Sequence, residues 1–150
     1  MKWSAKELDM YIHAKEFVDT ALIPLVPLSF GEQMKQSGSN NEFITILSME
    51  IEKQMKGRML LMPTFHYLSD EEDKLSILKR WSEKLEANNF KHVFFLTSDI
   101  EWKKNELELE HHLVWIPAIP LENLENAQAR AMISQQVNQI LDIFTHYWKS

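Results

Sequence analysis

Apolar and polar positions follow two rhythms along this chain. In four stretches the apolar residues recur at intervals of three and four, the spacing of one face of a helix. Leu8, Tyr11, Ile12 and Val18 make the first and shortest stripe, after Ser4. Ile44, Leu47, Ile51 and Met55 make the second, after Ser39, with Gly57 where a C-terminal cap belongs. Leu75, Leu78, Trp81 and Leu85 make the third, after Ser69, and Asn88-Asn89 end it. From about Asn126, the residues Ile133, Val137, Ile140, Leu141, Phe144 and Trp148 make the fourth and longest. Between these stretches lie four runs that are almost continuously apolar: ALIPLVPL (21–28), RMLLMPTF (58–65), KHVFFLTS (91–98) and HLVWIPAI (112–119). An apolar block without alternation suits a strand covered on both faces. The order is thus a helix, then β-α-β-α-β, a short helix, a strand and a long helix. It predicts a parallel sheet with helices on both sides.

Helix starts are marked by Ser-x-x-Glu at Ser4/Glu7, Ser39/Glu42, Ser69/Glu72 and Ser98/Glu101. In that pattern the serine oxygen accepts from the third helical amide while the glutamate reaches back to the cap amide. We expect one α/β domain over residues 1–150, a three-layer sandwich with a four-stranded, mostly parallel sheet. Placing the most apolar runs, the first and third, at the centre gives the flavodoxin-like order 2-1-3-4. The order 3-2-1-4 is the alternative and sets the two proline-bearing twins side by side.

Those twins are IPLVPL at 23–28 and IPAIPL at 116–121. Proline cannot donate to a ladder and belongs at an edge, a bulge or a strand end. With all strands parallel, Pro24, Pro27, Pro63, Pro117 and Pro120 are expected near the rim where the strands end. No longer internal repeat surrounds the twins.

Composition narrows the function classes. The chain has no cysteine, which excludes a disulfide framework and a thiol nucleophile. Apolar residues make up 45% and charged residues 25%, an ordinary soluble profile. The net charge of −6, with its densest runs acidic (DEED at 70–73, ELELE at 106–110), argues against a nucleic-acid partner or an anionic membrane surface. No apolar run approaches the ~18 residues of a membrane span. The start, MKWSAKELDMY, places charges where a signal peptide needs an apolar stretch. We expect a cytoplasmic protein.

In open parallel sheets, ligands bind beyond the carboxyl ends of the strands. Candidate binding residues there are Ser29, Thr64, His66, Thr97, Ser98 and Asp99, with Tyr67 leaving the same run as His66. Trp102, in the polar stretch DIEWKKNE, is expected to be partly exposed near this rim, as binding hot spots are. The segment SFGEQMKQSGSN, 29–40, reads as a solvated loop or a mobile lid. A hydrolase reading makes Ser98 the nucleophile, His66 the base and Asp99 the orienter, but the G-x-S-x-G elbow is missing. Neither G-x-G-x-x-G nor a P-loop is present, so no nucleotide cofactor is expected. His111 and His112 are adjacent on a predicted strand and point to opposite faces, so no metal site is expected. The two P-x-x-P matches are embedded in apolar residues and do not read as polyproline ligands.

The segments LDMYIHAKEFVDTALIPLVPLS, FKHVFFLTSDIEWKK and LVWIPAIPLE, followed by a long C-terminal helix, resemble the YpiF-like family of small proteins from spore-forming Gram-positive bacteria. The likeness runs along nearly the whole chain and is most specific in LTSDIEWKK and WIPAIPLE. It implies a bacterial cytosolic protein. It brings no activity, cofactor or catalytic residue with it. The leading expectation is a non-catalytic binding module that takes a protein or small-molecule partner at the strand-end rim. A small enzyme acting on a small-molecule or anionic substrate at the same rim is the alternative. The C-terminal helix has enough apolar surface to serve as a homodimer face or to lie against the sheet.

Overall fold

A computed structural model describes residues 1–149. The chain forms α1 (Ala5–Ile12), β1 (Thr20–Leu28), α2 (Met34–Gln54), β2 (Met59–Leu61), β3 (Phe65–Leu68), α3 (Lys74–Ala87), β4 (His92–Thr97), α4 (Glu106–Leu109), β5 (His112–Trp115) and α5 (Asn126–Trp148). Every strand pairing in the five-stranded sheet is parallel. β1 lies between β4 and an edge made of β2 and β3, and β5 closes the other side. The first and third apolar runs are therefore central, and the order 3-2-1-4 is excluded.

Residues alternate in face along each strand, and this sorts the core into two layers. Leu22 and Val26 of β1 and Phe94 and Leu96 of β4 meet Phe43, Ile44, Leu47 and Ile51 of α2 and Ile133, Val137, Ile140 and Phe144 of α5. Ala21, Ile23 and Leu25 of β1 and Val93 and Phe95 of β4 face the other way, toward Leu78 and Leu85 of α3, Phe90 and Trp102. The helices thus cover both faces, and the apolar stripe of α5 lies against the sheet. No helix among the described residues is long and apolar enough to cross a membrane.

Four strands were expected and five are found, because the second apolar run breaks at Met62-Pro63-Thr64. The pairing of β1 with β2 sets Leu22 against Leu61, and its pairing with β3 sets Leu25 against Phe65. One extra residue therefore sits on the edge side between the two pairings, the count of a bulge. Pro24 supplies the reason. The Leu22 carbonyl accepts from Met62 N at 2.9 Å. The residue two further along β1 faces the same neighbour, and there Pro24 has no N–H to give.

The prolines do not all gather at one border. Pro24 is in the body of β1, in register with Leu96 of β4, and Pro63 is in the break of the edge strand. Pro27 stands one residue before the end of β1, and Pro117 and Pro120 follow β5.

The helix starts also differ from the serine pattern. Ser4 does cap α1, accepting from Glu7 N at 3.4 Å. α2, however, begins at Met34, so Ser39 lies inside it. Its hydroxyl donates to Glu122 Oε2 at 3.2 Å, and Ser37 Oγ donates to the Pro27 carbonyl at 2.8 Å. Both hydroxyls serve tertiary contacts, and the helix runs through Ser37-Gly38-Ser39. Most of the stretch read as a loop or lid is therefore helical. α2 is capped by Met55, ahead of Gly57, and α3 begins after Asp73. Asp99 Oδ1, not Ser98, accepts from Glu101 N at 3.1 Å to start the short 3-10 turn Ile100–Asn105.

The free side of β2 is covered by Met1. Its α-ammonium donates to Met59 O at 2.7 Å and lies 3.1 Å from the buried Glu52 carboxylate, and its carbonyl accepts from Leu61 N at 2.7 Å. At the opening border of the sheet, Arg58 forks onto Asp19 at 3.0 and 3.2 Å and lies 4.1 Å from the Trp148 ring. Trp148 Nε1 donates to Thr20 Oγ1 at 2.8 Å, which ties the end of α5 to the start of β1.

Candidate functional site

At the rim, the structure joins three of the expected residues through Tyr67. Phe65 and Tyr67 of β3 point into the core while His66 and Leu68 are exposed, as strand alternation requires. Trp102 Nε1 donates to Tyr67 Oη at 2.6 Å, and Tyr67 Oη donates to Asp99 Oδ2 at 2.6 Å. Thr97 Oγ1 donates to Leu25 O at 3.0 Å and accepts from Asp99 N at 3.0 Å. Burial, reinforced by the adjacent Asp99 carboxylate, pushes the Tyr67 phenol far above its ordinary range. Tyr67 therefore stays protonated and acts as a fixed donor. Trp102 is 0% exposed, which corrects the expected half-exposed hot spot. Its ring meets Tyr67 edge-on at 5.3 Å and packs near Phe65 at 6.5 Å. An aromatic in a polar stretch is pulled inward here because its N–H finds an acceptor in the core.

The other candidates stay apart. Ser29 N donates to Ser37 Oγ at 3.3 Å, which closes the turn after β1. Thr64 lies in the break between β2 and β3. His66 is exposed, in register with Val26, and makes no hydrogen bond to Ser98 or Asp99. Ser98 Oγ is buried without a hydrogen-bond partner among the described residues, while its carbonyl accepts from Trp115 Nε1 at 3.2 Å. The rim is therefore mostly a set of internal ties, and no nucleophile–base pair forms there. His111 pairs with Glu86, and His112 stacks on Tyr147 with ring centroids 3.6 Å apart. Among the described residues, no group of three or more histidine, aspartate or glutamate side chains is placed to hold a metal ion.

A well-formed concavity lies elsewhere. A groove of about 640 Å³ runs between α1 and α3 over the edge strand β2. Leu60, Met62, Leu85 and Phe90 form its floor, and Tyr11 and Trp81 its aromatic walls. Tyr11 stacks on Phe90 at 5.6 Å, and Trp81 meets Phe65 edge-on at 5.1 Å. These contacts fix both walls. Partial burial raises the Tyr11 phenol above its usual range, so it is neutral in the groove. The mouth exposes Trp3, Ile12 and Ile77, and carries Lys15, Arg80 and Lys84. A shallower hollow of about 430 Å³ shares Trp3 and Met62 with it and reaches over the sheet edge to Pro24 and Pro63. The strand break thus opens the edge just where the groove ends.

Sequence reasoning assigned the α1 and α3 stripes to the core and missed the groove. Leu78 and Leu85 are indeed buried, yet no residue of α1 is. The available signal was the brevity of the α1 stripe, too short to cover the floor beside it. Nothing in the spacing shows that α1 and α3 lie side by side.

Comparison with known proteins gives a family. Residues 9–148 match the family described as protein of unknown function (DUF2487). The chain is 31% identical over 150 residues to "Uncharacterized protein YpiF" of Bacillus subtilis (strain 168), covering 100% of this chain and 99% of that one. No solved structure matches. The chain belongs to the DUF2487 family, and it resembles the Bacillus subtilis protein YpiF along its whole length.

Proposed function

We propose that the protein is a small cytosolic, non-catalytic binding module whose ligand lies in the groove between α1 and α3. The observation that carries this reading is the groove itself. It has the volume of a small-molecule site, an apolar floor and a few polar groups at its mouth. The four apolar runs read as a flavodoxin-like arrangement with the second run broken, and such sheets hold ligands beyond the strand ends. Here those ends are closed by Tyr67, Asp99 and Trp102, and the open concavity lies across the edge strand instead. An enzyme at the rim would need His66 against Ser98 or Asp99. His66 is exposed, and Asp99 is held by Tyr67 and by the Glu101 amide.

The test is binding of Nile red, a neutral solvatochromic dye, to the wild type and to an Ile12→Asp/Ile77→Glu variant. Ile12 is 58% and Ile77 41% exposed. The variant should therefore keep its unfolding free energy to within about 0.5 kcal/mol per site. Blue-shifted dye emission with the wild type and its loss in the folded variant are expected. Equal emission from both proteins, or none from the wild type, would refute the groove as the site.

A further inference from the structure

Resting on the groove reading, we infer that its ligand is an amphiphilic anion: an apolar body held on the floor, with a carboxylate or phosphate head at the mouth. The chain as a whole is acidic, at −6. The residues that line the groove reverse that sign. Lys15, Arg80 and Lys84 line it, and no aspartate or glutamate does. Arg80 and Lys84 are four residues apart on α3 and so project from one face. Lys15 stands across the groove, in the 3-10 turn that follows α1. Among the described residues none of these three charged heads makes an ion pair or hydrogen bond. Glu83 and Glu86 of α3 do not line the groove, and Glu86 pairs with His111.

Three unanswered cations beside an apolar floor complement one kind of molecule. The guanidinium fork of Arg80 suits a carboxylate or phosphate head, and Lys84 adds a second positive charge. The floor formed by Leu60, Met62, Leu85 and Phe90 offers nothing to a polar body, and burial of apolar surface there supplies the attraction. The occupant is a free amphiphile in solution and not a bilayer. The site is concave, and the acidic remainder of the chain is repelled by an anionic membrane.

The test varies the head on a fixed ten-carbon tail, each probe kept below its micelle concentration. Decanoate, decyl phosphate, decyltrimethylammonium and the neutral tetraethylene glycol monodecyl ether are titrated against the Nile red-loaded protein. The two anions are expected to displace the dye at least about tenfold more tightly than the neutral and cationic probes. Arg80→Gln/Lys84→Gln should reduce that preference, read as the ratio of anionic to neutral-probe affinity. Equal affinity for all heads, or an unchanged preference in the variant, overturns the inference and leaves the groove reading standing. Failure of the wild type to bind Nile red overturns both. Co-sedimentation with phosphatidylglycerol vesicles without any response to monomeric decanoate overturns it in favour of a bilayer.

Discussion

Tyr67 is engaged at both ends of its hydroxyl. It accepts from Trp102 Nε1 and donates to Asp99 Oδ2, each at 2.6 Å, in a part of the core where water does not reach Trp102. Removing the oxygen would leave a buried indole N–H without an acceptor, and such a group costs more than the bond itself contributed. Tyr67→Phe is therefore expected to lower stability by about 1–3 kcal/mol in urea unfolding. It should leave Nile red binding in the groove intact, because Tyr67 does not line it. A variant as stable as the wild type would show that the Trp102–Tyr67–Asp99 chain is not a stabilising tie. Asp99 and Trp102 were each legible in the sequence as candidate rim residues. Their role was not, because a tryptophan among charges reads as exposed until an acceptor is found for its N–H. That acceptor, Tyr67, is 35 residues away and on another element.

Among the elements, α2 shows what local patterns convey and what they do not. Its buried face, with Ile44, Leu47 and Ile51, was evident from spacing. Its start was not, since Ser37-Gly38-Ser39 looks like a turn. The helix extends through it because the two serine hydroxyls bond across the fold and Gly38 adopts ordinary helical geometry. A Cβ placed on Gly38 meets nothing within 4 Å. Gly38→Ala is thus expected to stabilise the protein by about 0.5–1 kcal/mol, chiefly by restricting the unfolded chain. A loss of stability in that variant would contradict a helix that begins at Met34 and would favour a loop. The broken edge strand teaches the same lesson. Pro63 read as a strand end, and it stands instead in the break between β2 and β3. The partner that causes it, Pro24, could be identified only once β1 and the edge were in register.

For the whole molecule, the parallel sheet between two helical layers was readable because continuous apolar runs and amphipathic stripes alternate along the chain. The groove was unreadable because it arises from how α1 and α3 stand relative to each other. The fold also carries a pH dependence. His92 and His112 both lie beside Phe94, and His112 stacks on Tyr147 of α5. Burial lowers both imidazoles below the ordinary value of 6.5, and the neighbouring histidines lower His112 further. As the pH falls through that value, the unfolded chain takes up protons that the folded chain still refuses. The unfolded state then binds more protons and stability declines, until the folded imidazoles titrate in turn. Urea unfolding at about pH 7.5 and about pH 5.5 should show the lower stability at the acidic value. His92→Gln/His112→Gln should flatten the difference. An unchanged slope in that variant would assign the dependence to other groups.

Where a ligand sits is decided most directly by backbone NMR mapping. The 15N-labelled protein would be titrated with the neutral ten-carbon ether below its micelle concentration. Amide shifts are expected to concentrate at Leu8, Tyr11, Leu85 and Phe90, around the groove. Shifts concentrated instead at Ser29, Thr97, Ser98 and Asp99 would move the site to the strand ends and contradict the assignment.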